Sequence, residues 1–352
     1  MSSTPPTGSA NWTSDLSMTP LAQLDTVPHP ILDSYDALLV DLDGTVFRGG
    51  RAVAGAFEGL SGRRSVYVTN NASRSPAAVA EHLTSLGFAV SAGEVLTSAQ
   101  AACTLAAQLV GTSSRPTQPT AYVVGTASFR ELATDAGFRV VDSADDNPDV
   151  VLQGHSPDNN WAALSEAALA VRAGALYVAS NLDTTLPTER GLLIGNGSMV
   201  AAVVSATGVT PHSAGKPQPA MFTVAADNVG SQRPLAVGDR LDTDIAGGIA
   251  AGMDTLCVLT GVSGHQDILH TTFRPTWIAA NLRDQVSGWT AVGDGDRVTV
   301  TSGETGEVDV MAAAALAAAA PLVWAADDEG RAVTVVPSDG DTLAATALGA
   351  WR

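Results

Sequence analysis

The clearest signal along the chain is a series of short, predominantly apolar runs closed by polar residues. Residues 37–40 (ALLV), 65–68 (SVYV), 235–237 (LAV) and 255–259 (TLCVL) are of this kind. Runs that do not alternate apolar with polar mark strands covered on both faces, as in parallel sheets. Helical patterns separate them, such as 77–86, closed by Gly87, and 245–251, closed by Gly252. Glycine just past the last turn is a common helix stop. The alternation predicts an α/β fold with a doubly wound, Rossmann-like parallel sheet. A second set, 121–124 (AYVV), 150–152 (VVL) and 176–178 (LYV), with a helix over 161–172, predicts a smaller α/β domain inserted into the first.

The pattern changes near residue 285. Alternation in 297–301 (RVTVT), an alanine-rich helix over 311–320, a run at 332–336 (AVTVV) and a helical pattern over 342–351 predict a separate α+β module. The first thirty residues are rich in Ser, Thr and Pro and read as a flexible arm. The expected organisation is therefore an arm over 1–30, a core over 31–97 and 207–284, an insert over 98–206 and a C-terminal module over 285–352.

Composition narrows the classes. A chain of 352 residues can bury a core without a disulfide or metal staple. Cys103 and Cys257 have no CxxC neighbours and the six histidines are scattered, which excludes a disulfide scaffold and a structural zinc site. No uninterrupted apolar run is expected to reach the roughly 18 residues of a membrane span. The first basic residue is Arg48, so the start has no charged signal-peptide region. The expectation is a soluble, cytoplasmic protein with no membrane partner. Eighteen basic against 36 acidic residues give a net charge of −18, which argues against nucleic acid as a partner. All the basic residues are arginine except Lys216, so that position invites a chemical reason.

Three of the predicted core strands end in polar clusters: Asp41-Leu42-Asp43-Gly44-Thr45, Thr69-Asn70-Asn71, and Gly238-Asp239-Arg240-Leu241-Asp242-Thr243-Asp244. In open α/β sheets the ligand crevice lies at the carboxyl ends of strands, so these clusters converge there. Gathered carboxylates repel unless a cation joins them, and a hard divalent ion with oxygen ligands fits best. A calcium loop would need Glu at its twelfth position, which here is Ala52. A plain Asp-Gly turn is the remaining reading of DLDGT taken alone.

Taken together and in order, DLDGT (41–45), VTNN (68–71), GKPQP (215–219) and GDRLDTD (238–244) resemble the four motifs of the haloacid dehalogenase-like phosphatases. The insert resembles the class II (subclass IIA) cap of the p-nitrophenylphosphatase and phosphoglycolate phosphatase branch. With its tail, the chain is most similar to actinobacterial glycerol-3-phosphate phosphatases, whose C-terminal extension resembles part of an acetyltransferase fold. No acetyl-CoA loop signature follows residue 285, so a packing or assembly role is expected for the tail.

The resemblance implies a Mg²⁺-dependent phosphomonoesterase acting on a small phosphorylated metabolite. Asp41 would be the nucleophile and Asp43 the general acid and base. Thr69 and the Asn70 amide would hold phosphoryl oxygens, and Lys216 would neutralise charge between nucleophile and phosphate. Asp41, the Asp43 carbonyl and Asp239 would hold Mg²⁺, with Asp244 anchoring from behind. In the cap, Asn181 and Asp183 of the return segment and Arg190 are candidate substrate contacts, although an Asx turn and a surface arginine are the ordinary readings. Gly195-Asn196-Gly197 could open a dinucleotide loop, but the third glycine is replaced by Val200. Glycerol 3-phosphate is the expected substrate; phosphoglycolate, a nucleotide, or a non-catalytic phospholigand sensor are the alternatives. A homodimer is compatible with the chain.

Overall fold

The structure, a computed structural model, describes residues 29–111, 118–188 and 190–351. Most of the expected arm lies outside these residues. Its last two members, His29 and Pro30, belong to the folded body: His29 is buried and its Nδ1 accepts from Leu32 N at 3.2 Å.

In chain order the strands are β1 (Ala37–Val40), the flap β2 (Phe47–Arg48) and β3 (Arg51–Ala52), β4 (Ser65–Thr69) and β5 (Val95–Thr97). The insert contributes β6 (Thr120–Val124), β7 (Arg139–Val141), β8 (Val150–Gln153) and β9 (Leu176–Ala179). A hairpin of β10 (Thr185–Thr188) and β11 (Gly191–Ile194) follows, then β12 (His212–Ser213). Next come β13 (Pro234–Gly238), β14 (Asp254–Val258) and β15 (Trp277–Ala279), and finally β16 (Thr290–Asp294), β17 (Arg297–Thr301) and β18 (Thr334–Pro337).

Six strands form an all-parallel core sheet in the order β15-β14-β13-β1-β4-β5. The chain winds outward in both directions from β1, so the switch point of the sheet lies beside the end of that strand. The apolar run of β1 is shared between two cores. Leu38 and Val40 pack with Tyr67, Leu83 and Val237, while Leu39 packs on the other face with Val66, Met221 and Phe222. That two-sided burial is why the strand shows no alternation. The short edge strands β5 and β15 carry too few residues to stand out as patterns.

The insert has its own parallel sheet, ordered β12-β9-β8-β6-β7. The expected edge at residue 206 falls inside the helix Asn196–Thr207, and β12 beyond it joins the insert's sheet, so the chain leaves that sheet only after Ser213. At the other expected edge, residue 98 opens the helix Ser98–Val110. Thr97 caps it by accepting from Gln100 N. Its buried alanines pack into one cluster with residues of both sheets, so insert and core share packing.

The C-terminal module is a sheet ordered β16-β17-β18 with the helices Val308–Asp328 and Thr342–Gly349. The first of these corrects two expectations. It runs through Pro321 instead of stopping before it, although an internal proline costs about 3 kcal/mol. Burial of Leu316, Ala319, Ala320, Val323 and Trp324 on both sides of the proline offsets that cost. Once continuous, its 21 residues are long and apolar enough to cross a membrane, with an 18-residue window of mean hydropathy 1.8. In the fold 56% of that window is buried, which accounts for its apolarity as core packing. The same cluster includes Leu241 and Ile245, so the module buttresses the turn that carries Asp244.

Candidate active site

Asp41 directly follows β1, Thr69 closes β4, and Asp239 directly follows β13. Lys216 arrives on the loop after β12. These side chains line one cavity of about 560 Å³ with Asp43, Asn70, Asn181, Asp183 and Asp244.

Lys216 is buried at the centre. Its Nζ donates to Asp41 Oδ1 and to the Val68 carbonyl at 3.3 Å, and pairs with Asp244 Oδ1 at 2.7 Å. Burial alone would lower the lysine pKa, but the Asp244 and Asp41 carboxylates overrule it and hold the ammonium above its usual value. The carboxylates show the converse. Asp41 is raised by burial and by Asp244, with Lys216 opposing. Asp239 is pushed up to about 6 by burial and then by Asp244. One ammonium does not compensate this much negative charge, and a divalent cation would favour the ionised form of both.

The donor set fits a hard metal ion. Asp41, Asp239 and Asp244 each bring a carboxylate oxygen to within 4.8 Å of the others. Oxygens bound to one Mg²⁺ at about 2.1 Å lie roughly 3 to 4 Å apart, so little movement is required. Both oxygens of Asp244 are engaged, by Lys216 and by Arg240 N at 3.1 Å, which suits an anchoring role better than direct ligation. Asp239 Oδ2 accepts from Val262 N at 2.7 Å, which sets the direction of its carboxylate.

The chain comes unusually close to Asp239. A Cβ on Gly261 would lie 1.9 Å from Asp239 Oδ2, and one on Gly44 would lie 2.5 Å from the same atom. Gly261→Ala is therefore expected to push the Asp239 carboxylate aside and weaken Mg²⁺ binding at least about tenfold, since small misplacements at such a centre are costly. A calorimetric Mg²⁺ titration checks this; an unchanged midpoint would show that Asp239 does not depend on that approach.

Asp43 is exposed to the cavity. Desolvation raises its carboxyl pKa while Arg48 pulls the other way, so it can hold a proton more readily than a free aspartate. Asp242, by contrast, is an exposed partner of Arg240 at 2.9 Å.

Asn70 is a joint rather than a free side chain. Its Oδ1 accepts from Lys216 N at 2.8 Å, and its Nδ2 donates to the Lys216 carbonyl at 3.1 Å and to Asp183 Oδ2 at 3.2 Å. A phosphate contact from Asn70 would therefore come from its main chain. Asn181 is likewise occupied: its Nδ2 donates to the Asn70 carbonyl at 2.7 Å and its Oδ1 accepts from Asp183 N at 3.2 Å. The two asparagines fasten the insert's return segment to the core, so the side chain of Asn181 positions this segment. Gly195 and Gly197 permit the close approach of the next helix, since a Cβ at either would lie 2.3 Å from the Asp183 carbonyl and 2.1 Å from the Leu182 carbonyl respectively. That packing, rather than a dinucleotide, accounts for the glycines. Arg190 is exposed on the β10–β11 turn and is not among the residues lining the cavity.

The cavity also takes in residues without a sequence signal of their own. Arg48, Ser73, Arg74 and His82 come from the core, and His155 comes from the insert just past β8. Polar residues at the ends of the insert's strands, read as the core's were, would have pointed to His155.

Comparison with known proteins agrees with this geometry. A family model described as haloacid dehalogenase-like hydrolase matches residues 38–139, and a second HAD-like hydrolase model matches residues 213–285. A D-glycerol 3-phosphate phosphatase of Mycobacterium tuberculosis is 44% identical over 344 residues, covering 91% of this chain and 95% of that protein. The crystal structure of a glycerol phosphate phosphatase from Mycobacterium tuberculosis in complex with magnesium superposes with a TM-score of 0.78 at 43% identity, over 92% of this chain and 98% of the other. A thermostable NPPase double mutant from Geobacillus stearothermophilus aligns with a TM-score of 0.63 at 34% identity, over 71% and 97% of the two chains.

Proposed function

This chain belongs to the haloacid dehalogenase-like hydrolases, and from that premise we propose that it is a Mg²⁺-dependent phosphatase whose substrate is glycerol 3-phosphate. The observation that carries the reaction class is the convergence of Asp41, Lys216, Asp239 and Asp244 on one cavity. The substrate is supported by the similarity to a D-glycerol 3-phosphate phosphatase along 91% of the chain.

In this reading Asp41 attacks phosphorus and forms an aspartyl-phosphate as the bond to the leaving oxygen breaks. Asp43, with its raised pKa, gives that oxygen a proton. The resulting carboxylate then takes a proton from water, which attacks the phosphoenzyme and returns Asp41 and free phosphate. Thr69 and Lys216 hold phosphoryl oxygens, and Lys216 opposes the rise in the Asp41 pKa that burial and Asp244 cause. Asp41, the main chain of Asp43 and Asp239 would hold Mg²⁺, with Asp244 fixing Lys216 behind them. The ion supplies positive charge against the phosphoryl oxygens and the crowded carboxylates.

The test is release of inorganic phosphate from glycerol 3-phosphate with Mg²⁺ and with excess chelator. Release only with Mg²⁺ is expected, at higher kcat/KM than for phosphoglycolate or nucleoside monophosphates. Failure with every ester would favour a phospholigand sensor, and preference for another ester would replace the substrate.

Mg²⁺ binding should also depend on pH. Asp41 and Asp239 are raised, so protons compete with the metal until they ionise. The Mg²⁺-induced rise in melting temperature is expected to be small near about pH 5 and to grow toward about pH 8. A pH-independent shift would place the metal elsewhere.

A cytoplasmic location and a homodimer belong to the same proposal. The buried free thiols Cys103 and Cys257 support a reducing compartment. Exposed Leu192, Leu193 and Ile194 offer apolar surface for self-association. A monomer in analytical ultracentrifugation would overturn the dimer.

A further inference from the structure

His155 of the insert reaches the core at one point. Its Nδ1 lies 2.8 Å from Ser73 Oγ, and the same hydroxyl lies 3.3 Å from the His155 carbonyl. Ser73 sits on the loop that leaves β4. There Ser73 N donates to Asn71 Oδ1 at 2.8 Å, and Asn71 N donates to Thr69 Oγ1 at 3.2 Å. A histidine of the insert is thus tied by one hydroxyl to the turn that presents Thr69, and both His155 and Thr69 line the cavity.

With Nδ1 engaged, the ring nitrogen left for a ligand is Nε2. If the Ser73 hydroxyl donates to Nδ1, Nε2 carries the proton and is a donor. If Nδ1 donates to Ser73, Nε2 is an acceptor. A ligand hydroxyl satisfies either arrangement because it both donates and accepts. The other cavity residues that could sort leaving groups are less suited. Arg48 and Arg74 are exposed cations that attract any phosphate, and His82 packs edge-on against Phe47 with ring centroids 5.0 Å apart. Burial lowers the pKa of His155, so the ring is neutral at neutral pH and suits a hydroxyl better than a carboxylate.

We propose that His155 is a specificity-determining residue whose Nε2 hydrogen-bonds a hydroxyl on the alcohol portion of the substrate, so that polyol phosphates are preferred over simple alkyl phosphates. This rests on the phosphatase reading above and adds the group by which the leaving alcohol is recognised. Ser73 holds the ring in place.

The experiment compares kcat/KM for glycerol 3-phosphate and for n-propyl phosphate, which lacks both hydroxyls, at saturating Mg²⁺. In His155→Phe the ratio of the two is expected to fall about tenfold, the worth of roughly one hydrogen bond, chiefly through KM for glycerol 3-phosphate. His155→Gln, which offers an amide near the position of Nε2, should recover most of the ratio. Ser73→Ala, which keeps the ring but frees it, should lower the ratio by a smaller factor and covers the case of a poorly folding Phe variant. Equal losses on both esters, or an unchanged ratio, would overturn the assignment. If the parent prefers a different hydroxyl-bearing ester and His155→Phe erases that preference, the assignment stands and only the glycerol 3-phosphate reading falls.

Discussion

Asp41→Asn is expected to lower kcat for phosphate-ester hydrolysis by roughly 10⁴-fold or more, the scale of losing a covalent nucleophile. The replacement has the same shape, so it can occupy the same place at the end of β1. What it loses is the anionic oxygen that attacks phosphorus and that Lys216 Nζ holds. Because Asp41 is one of several buried carboxylates that raise one another's pKa, its neutral replacement also relieves repulsion. The metal-free variant should therefore be at least as stable as the parent, which makes the loss of turnover specific to chemistry. Asp43→Asn should behave differently. With an activated ester, whose leaving group needs no acid, it should still be phosphorylated on Asp41, but it should stall before hydrolysis. Steady-state and single-turnover rates for the two variants separate these outcomes, and mild, equal losses would contradict both roles.

Lys216→Arg is the second large effect. The ammonium fits between Asp41 and Asp244 as a compact charge, with its third contact to the Val68 carbonyl at 3.3 Å. A guanidinium is a planar fork on a longer lever, and it would have to project toward the position of the phosphate. A loss of about 10²-fold in kcat is expected, comparable to removing one preorganised transition-state donor. Lys216→Ala should be at least as damaging to turnover. From sequence alone, both changes are expected to leave the fold and melting temperature nearly unchanged. The structure corrects this for the alanine variant. Lys216 is 4% exposed and paired with two buried carboxylates, so deleting it should cost about 3 kcal/mol of stability without metal. Saturating Mg²⁺ should return part of that. An arginine variant within about threefold of the parent would show that the compact ammonium is not required.

The core of the site was legible because its chemistry sits where apolar runs end. DLDGT, VTNN and GDRLDTD each follow a strand of one parallel sheet, and strand ends of such a sheet must meet. Lys216 was legible through composition, as the single lysine among eighteen basic residues. Contacts that depend on how the insert closes over the core were not. Ser73 and His155 are 82 residues apart and lie on loops that leave strands of different sheets, so no local pattern couples them. Asn70 and Asn181 could be named, but not that their side chains would be used up on each other's loops. Arg190 looked available because hairpin geometry cannot be read from composition. In the tail, the alanine-rich pattern predicts a helix only over 311–320, whereas burial of Leu316 and Trp324 on both sides of Pro321 carries the helix through to Asp328.

The most direct measurement is to trap the phosphoenzyme. The Asp43→Asn variant is mixed with Mg²⁺ and an activated ester carrying labelled phosphate, quenched in acid, digested and mapped by mass spectrometry. An acid-stable, hydroxylamine-sensitive label on the peptide containing Asp41 is expected, and it should be absent when Asp41→Asn is added to the same variant. Label on any other side chain, or full catalytic turnover with no label at any time, would contradict an aspartyl-phosphate on Asp41.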